Sequence, residues 1–156
     1  MILAVYDIIE EPTDSSYDAL LEFCGQHAPE CSLVCRDNLL PAQTAADFLA
    51  AASGHLIRSA DQNSWPGTKL SEGTALVFWY RVTAELIALL KRSARGLYEW
   101  QVDRSLPEDL AFYRADQSVL MGSISHERDA WLELSVEETD VALALPLRIR
   151  RQDHEH

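Results

Sequence analysis

Basic residues are scarce in this chain, and that scarcity excludes more than any other feature of its composition. Thirteen Lys and Arg stand against 25 Asp and Glu among 156 residues, a formal net charge of −12. The first basic residue is Arg36, so Asp7, Glu10, Glu11, Asp14, Asp18, Glu22 and Glu30 all precede it. Nucleic-acid binding needs a basic face to meet phosphates, and none is expected here. Long apolar runs are also missing: nothing approaches the ~20 residues of a membrane span. The start, MILAVYDIIEEP, has neither a basic leader nor a small-residue cleavage site, so no secretion signal is expected. Six dispersed glycines provide no phosphate-cradling loop, and there is no G-x-S-x-G elbow. Cys24, Cys31 and Cys35 are an odd set with no disulfide framework, which suits a reducing cytoplasm.

What is present reads as one α+β domain over residues 1–146, with a mainly antiparallel sheet, a C-terminal three-strand meander and about four helices. MILAVYDII is a first strand. Ser15 and Asp18 have capping-box spacing ahead of a helix whose stripe is Tyr17, Leu20, Leu21 and Cys24, closed by Gly25 and Pro29. In CSLVC, alternation puts Cys31, Leu33 and Cys35 on one strand face. PAQTAADFLAAASG predicts a second helix, with Pro41 in its first turn, a stripe of Ala45, Phe48, Leu49 and Ala52, and Gly54 beyond its end. HLIRS reads as a short strand, and residues 61–73 as the longest irregular stretch. TALVFWYRV reads as a strand buried on both faces at the centre of the sheet. Thr83 caps a third helix with buried Leu86, Ile87, Leu90 and Ala94, terminated by Gly96. LAFYR, VLMGSIS and AWLEL form the meander, joined by ADQS and HERD. Ser135 and Glu138 box the last helix, limited by Pro146. Residues 147–156 read as a flexible tail.

Few residues look like chemistry. His126-Glu127 begins an H-E-x-x-H zinc signature, but Ala130 stands where the second His belongs, and strand–turn–strand patterning makes HERD a hairpin connection. Cys24, His27, Cys31 and Cys35 offer four zinc donors, yet they miss C-x-x-C spacing and fit apolar stripes better. Glu108-Asp109, after Pro107, reads as a turn. Of four tryptophans, Trp79 is expected in the core and Trp65 at the surface. No catalytic residue, metal ligand or cofactor is therefore expected.

SWPGTKL, GLYEWQ and LPEDLAFYRADQSVLMGSISHERDAWLEL together resemble a family of short bacterial proteins. That family carries W-P-G-T-x-L, L-Y-x-W, L-P-E-D-L-x-x-x-R-x-D and S-x-x-H-E-x-D-A-x-L motifs. The resemblance covers roughly residues 64–138 and implies no reaction and no catalytic residue. In the hairpin turn this chain has Asp116-Gln117 where those proteins often show Asp-Gly.

In size, acidity and lack of catalytic motifs the chain also resembles, by analogy of type, immunity proteins, which neutralise bacterial toxins by direct binding. The expectation is a cytoplasmic, acidic binding protein for a basic protein partner, a cognate secreted toxin. Its contact residues would be Asp7, Glu10, Glu11, Asp14 and Asp18, together with Trp65, His126, Glu127 and Asp129. Negative charge would steer such a partner. Two alternatives stand beside it: a small metal-dependent enzyme using His126 and Glu127, and a ligand-binding regulator using the 61–73 loop.

Overall fold

The computed structural model describes residues 3–36 and 43–153. The expected position of Pro41 in a helical first turn lies outside them. Among the described residues ten strands and four α-helices follow in chain order: β1 (Ala4–Ile8), α1 (Ser15–His27), β2 (Glu30–Cys35), α2 (Gln43–Ala52), β3 (Leu56–Gln62), β4 (Ser64–Trp65) and β5 (Thr68–Lys69). Then come β6 (Ala75–Arg81), α3 (Ala84–Ser93), β7 (Glu108–Tyr113), β8 (Val119–Ile124), β9 (Asp129–Leu134), α4 (Val136–Leu143) and β10 (Ile149–Arg151). Eight strands make one antiparallel sheet in the order β10-β1-β9-β8-β7-β2-β6-β3, and β4 and β5 form a separate hairpin. The α+β class and the β7–β8–β9 meander are as the sequence implies.

Alternation along the strands divides the core in two. Cys31, Leu33, Tyr80, Leu110, Phe112 and Leu132 face the helices and pack with Tyr17, Leu20, Phe48, Leu86 and Leu90. On the opposite face Val34, Val77, Trp79, Ala111 and Tyr113 form a smaller core, roofed by Trp65 and Leu70. Between the helices, the Tyr17 hydroxyl donates to the Leu90 carbonyl (2.7 Å) and accepts from the Trp100 indole (2.9 Å). Buried polar tips of this kind need such partners, and each bond here joins distant parts of the chain.

The structure departs from the sequence reading at several points. Residues 61–73 are not a free loop: β3 runs to Gln62, and Pro66-Gly67 turns the β4–β5 hairpin. Gly67 has φ +83°, and a Cβ there would lie 2.6 Å from the Trp131 ring, so this tight approach demands glycine. Strand β6 is second from an edge rather than central; it is buried on both faces because helices cover one and the hairpin the other. Helix α1 continues through Gly25, where a Cβ would stand 3.2 Å from Ile87 of α3. Asp14, not a Ser15 capping box, precedes α1, and its side chain makes no capping bond. Helix α3 ends at Ser93, with Gly96 extended and bridged to Thr13. The expected tail contributes β10, in which Tyr6, Asp7 and Ile8 of β1 pair with Arg151, Arg150 and Ile149. Backbone pairing with an open sheet edge orders that segment despite its low apolar content.

Candidate functional site

The N-terminal acids meet their partners only in three dimensions. Glu10 pairs with Arg148 (3.2 Å), and Arg95 reaches both Asp14 (3.4 Å) and Asp18 (3.2 Å). Glu11 pairs with Arg128 (3.0 Å) and accepts the Tyr98 backbone N–H (3.0 Å). Four of the expected contact residues thus have duties inside the fold, supplied by arginines far away in sequence. Glu10 and Glu11, expected to contact a partner, are instead held by ion pairs within the chain. Trp65 is buried as well, its ring roofing the second core and its indole N–H donating to Asp109 (2.9 Å). As a strand residue of a packed hairpin it has no free face to offer.

Three expected residues remain together. Asp7 lies on the non-helical face of β1, in register with Trp131 of β9 and Arg150 of β10, without an ion pair to that arginine. Asp129 opens β9, and Glu127 sits in the one-turn 3-10 segment Ser125–Glu127 that links β8 to β9. This link is the polar connection expected of HERD, with Arg128 at φ +54° to complete it. Burial first, then the negative charges of Asp7 and Glu127, push the Asp129 carboxyl above its ordinary range. Asp7 accepts from the Gln152 amide (2.7 Å), and Glu127 Oε1 lies 3.9 Å from His126 Nε2. Among the described residues none of these three carboxylates has a Lys or Arg in ion-pair contact.

The same turn presents His126 to the adjacent acids Glu108 and Asp109. Glu108 and Asp109 are not in a turn: they begin β7, which is flanked by β2 and β8, and they are 4% and 1% exposed. Successive strand residues ordinarily face opposite sides. Here the β2–β7 register slips between Ser32↔Ala111 and Val34↔Glu108, so two β7 residues oppose Leu33 alone, and Asp109 takes φ +59°. This bulge brings both carboxylates into one cluster with His126, with one donor atom from each within 4.8 Å of the others.

The surroundings compensate the cluster only in part. Arg36 pairs with Glu108 Oε1 (2.5 Å) and stacks over Trp65 (5.3 Å). Asp109 Oδ1 accepts the Ser125 backbone N–H (3.0 Å), while Oδ2 takes the Trp65 indole. Burial pushes both carboxyls above the ordinary range; Asp109 adds to the rise at Glu108, and Arg36 opposes it. A cavity of about 220 Å³ opens here, lined by Arg36, Gln101, Val102, Asp103, Glu108 and His126. Strained backbone and paired buried acids beside a cavity are a combination found at working sites. The signal that the sequence offered was Glu-Asp directly at the head of the apolar run Leu110–Tyr113.

The other metal pattern does not assemble. Cys24, Cys31 and Cys35 are buried free thiols whose protons burial holds on, and His27 Nδ1 lies 2.9 Å from the Phe23 carbonyl. Ala130, in the place of the second His, is wholly buried in the helix-side core.

Fold and site together define an α+β protein with an antiparallel sheet, helices on one face, the β4–β5 hairpin on the other and an acidic turn between β8 and β9. No protein-family model, curated protein or solved structure matches the chain. Among the described residues no helix is long and apolar enough to cross a membrane.

Proposed function

We propose that this chain is a binding protein for a basic protein partner, in the manner of an immunity protein that neutralises a toxin. Supporting this most directly is the Asp7–Glu127–Asp129 group. In a chain that pairs its other N-terminal acids internally, Asp129 lies close enough to Asp7 and to Glu127 to feel both charges, and among the described residues none of the three meets a Lys or Arg. Like charges held on two neighbouring strands and the turn beside them repel one another, and an incoming Lys or Arg relieves that repulsion. The overall charge of −12 adds long-range steering, which raises association rates toward basic surfaces. Partner contact thereby moves from the N-terminal helix start, where Asp14 and Asp18 serve Arg95, to the β1 and β8–β9 end.

The test is affinity capture with the full-length chain from its own cells, with mass spectrometry of proteins released by rising salt. A stoichiometric basic protein, retained by the parent and lost on Glu127→Lys with Asp129→Lys, is the expected result. Capture that ignores this double reversal would contradict the assignment of the surface.

A further inference from the structure

The geometry points to a second, separate capability: Glu108, Asp109 and His126 form a centre for one divalent transition-metal ion. Two buried carboxylates and an imidazole are a mixed O/N donor set, suited to zinc or manganese rather than to calcium or magnesium, which favour oxygen alone. An independent observation concerns Ser125. Its amide binds Asp109 and it directly precedes His126; its own hydroxyl is wholly buried and has no hydrogen-bond partner. A fully buried hydroxyl without a partner is uncommon, and this one belongs to the residue that joins two members of the cluster.

Distances decide what binding would require. Donors around a tetrahedral ion at ~2.1 Å stand about 3.4 Å from one another. The three donor atoms here lie within 4.8 Å, so the set must contract by up to about 1.4 Å. Glu108 is fixed by its pairing with Val34 of β2, and Asp109 by its hydrogen bonds to the Ser125 N–H and the Trp65 indole. His126 is half exposed in a single 3-10 turn, so its side chain can supply the movement. Glu108 Oε1 is held by Arg36, which leaves Oε2 for an ion. Arg36 is then a resident positive charge that a metal must oppose. This centre differs from the H-E-x-x-H pattern: Glu127 is outside it, and the acids come from β7, eighteen or so residues earlier in the chain.

Equilibrium dialysis tests the centre on the full chain, stripped with a chelator and then exposed to ZnCl2 or MnCl2 alone. One ion per chain is expected in the parent. His126→Ala, a substitution on an exposed turn, should lower affinity at least tenfold while circular dichroism stays unchanged. Arg36→Gln should bind at least several-fold more tightly, because the opposing charge is gone. Asp109 anchors Trp65 and Ser125, so its variants are less useful for separating binding from folding. No stoichiometric ion in the parent, stoichiometry that survives His126→Ala, or an Arg36→Gln chain that binds no more tightly would each overturn the proposal. Because no protein partner is involved, failure here leaves the toxin-binding reading untouched, and success does not support it.

Discussion

Glu138→Ala should be among the most damaging single substitutions in this molecule. Arg114 follows β7 and is 7% exposed; its guanidinium makes a two-pronged ion pair with Glu138, through Nε to Oε2 at 2.9 Å and through Nη2 to Oε1 at 2.5 Å. It also donates to the Val119 carbonyl (2.8 Å), to Ser118 Oγ (3.2 Å) and to the Glu133 carbonyl. Glu138 meanwhile accepts the Ser135 N–H (2.8 Å) and completes the capping box of α4. Truncation leaves a buried guanidinium without its counter-charge, which costs about 3–5 kcal/mol. The broken cap adds about 1 kcal/mol. Against a typical domain stability of about 5–15 kcal/mol, the variant should be close to unfolded at moderate urea. The double variant Arg114→Met/Glu138→Leu removes both charges and should lose about 2 kcal/mol or less, mostly the cap and the carbonyl bonds.

The pair also makes a pH signature. Burial disfavours the Glu138 carboxylate, but Arg114 and the Ser135 N–H outweigh burial and hold its pKa below the ordinary value. A carboxyl whose folded pKa is depressed contributes stability above the unfolded value, near 4.3, and loses it as pH falls through the lower folded value. The parent should therefore weaken below about pH 4, and the double variant should lack that component. Urea titration followed by tryptophan fluorescence at pH 7 and in acid supplies both readings. A single variant that costs under 1 kcal/mol, or a double variant as weak as the single, would refute this account of the pair.

Other substitutions separate core from surface. Leu90→Ala, wholly buried between α3 and α1, should cost about 2–5 kcal/mol, whereas Glu127→Ala should change stability by about 0.5 kcal/mol or less in the same denaturant titration. Trp65→Phe keeps the ring but deprives buried Asp109 of a donor, and should cost about 1–3 kcal/mol by chemical denaturation. Gln117→Gly should raise the thermal midpoint, because Gln117 holds φ +73° in the β7–β8 turn, at a strain of about 1 kcal/mol in a side-chain-bearing residue. Loss of its amide contact to Glu30 subtracts little from an exposed position.

Local patterns carried much of this fold and little of its site. The capping box of Ser135 and Glu138, the Thr83 cap and the stripe of α3 depend on residues three or four apart, and all are where periodicity puts them. The meander likewise follows from alternation and short polar turns. What failed depended on distant neighbours. Trp65 looks like a loop residue until β4–β5 folds over Val77 and Trp79. Glu10 and Glu11 look free until Arg148 and Arg128 arrive from the far end of the chain. Glu108-Asp109 carries the turn signal of adjacent acids after proline, but pairing of Glu108 with Val34 of β2 makes it strand, and a bulge places both carboxylates together. The His126 turn was legible as a turn; its proximity to those acids was not, because eighteen or so residues separate them and the register slip between β2 and β7 has no mark in local sequence.

Association kinetics against the captured partner, at low and physiological ionic strength, test the central claim most directly. If Asp7, Glu127 and Asp129 receive a basic surface, Glu127→Lys with Asp129→Lys should slow association at least tenfold at low salt and less at high salt, with the fold intact by circular dichroism. An association rate and affinity that match the parent at both ionic strengths would contradict it.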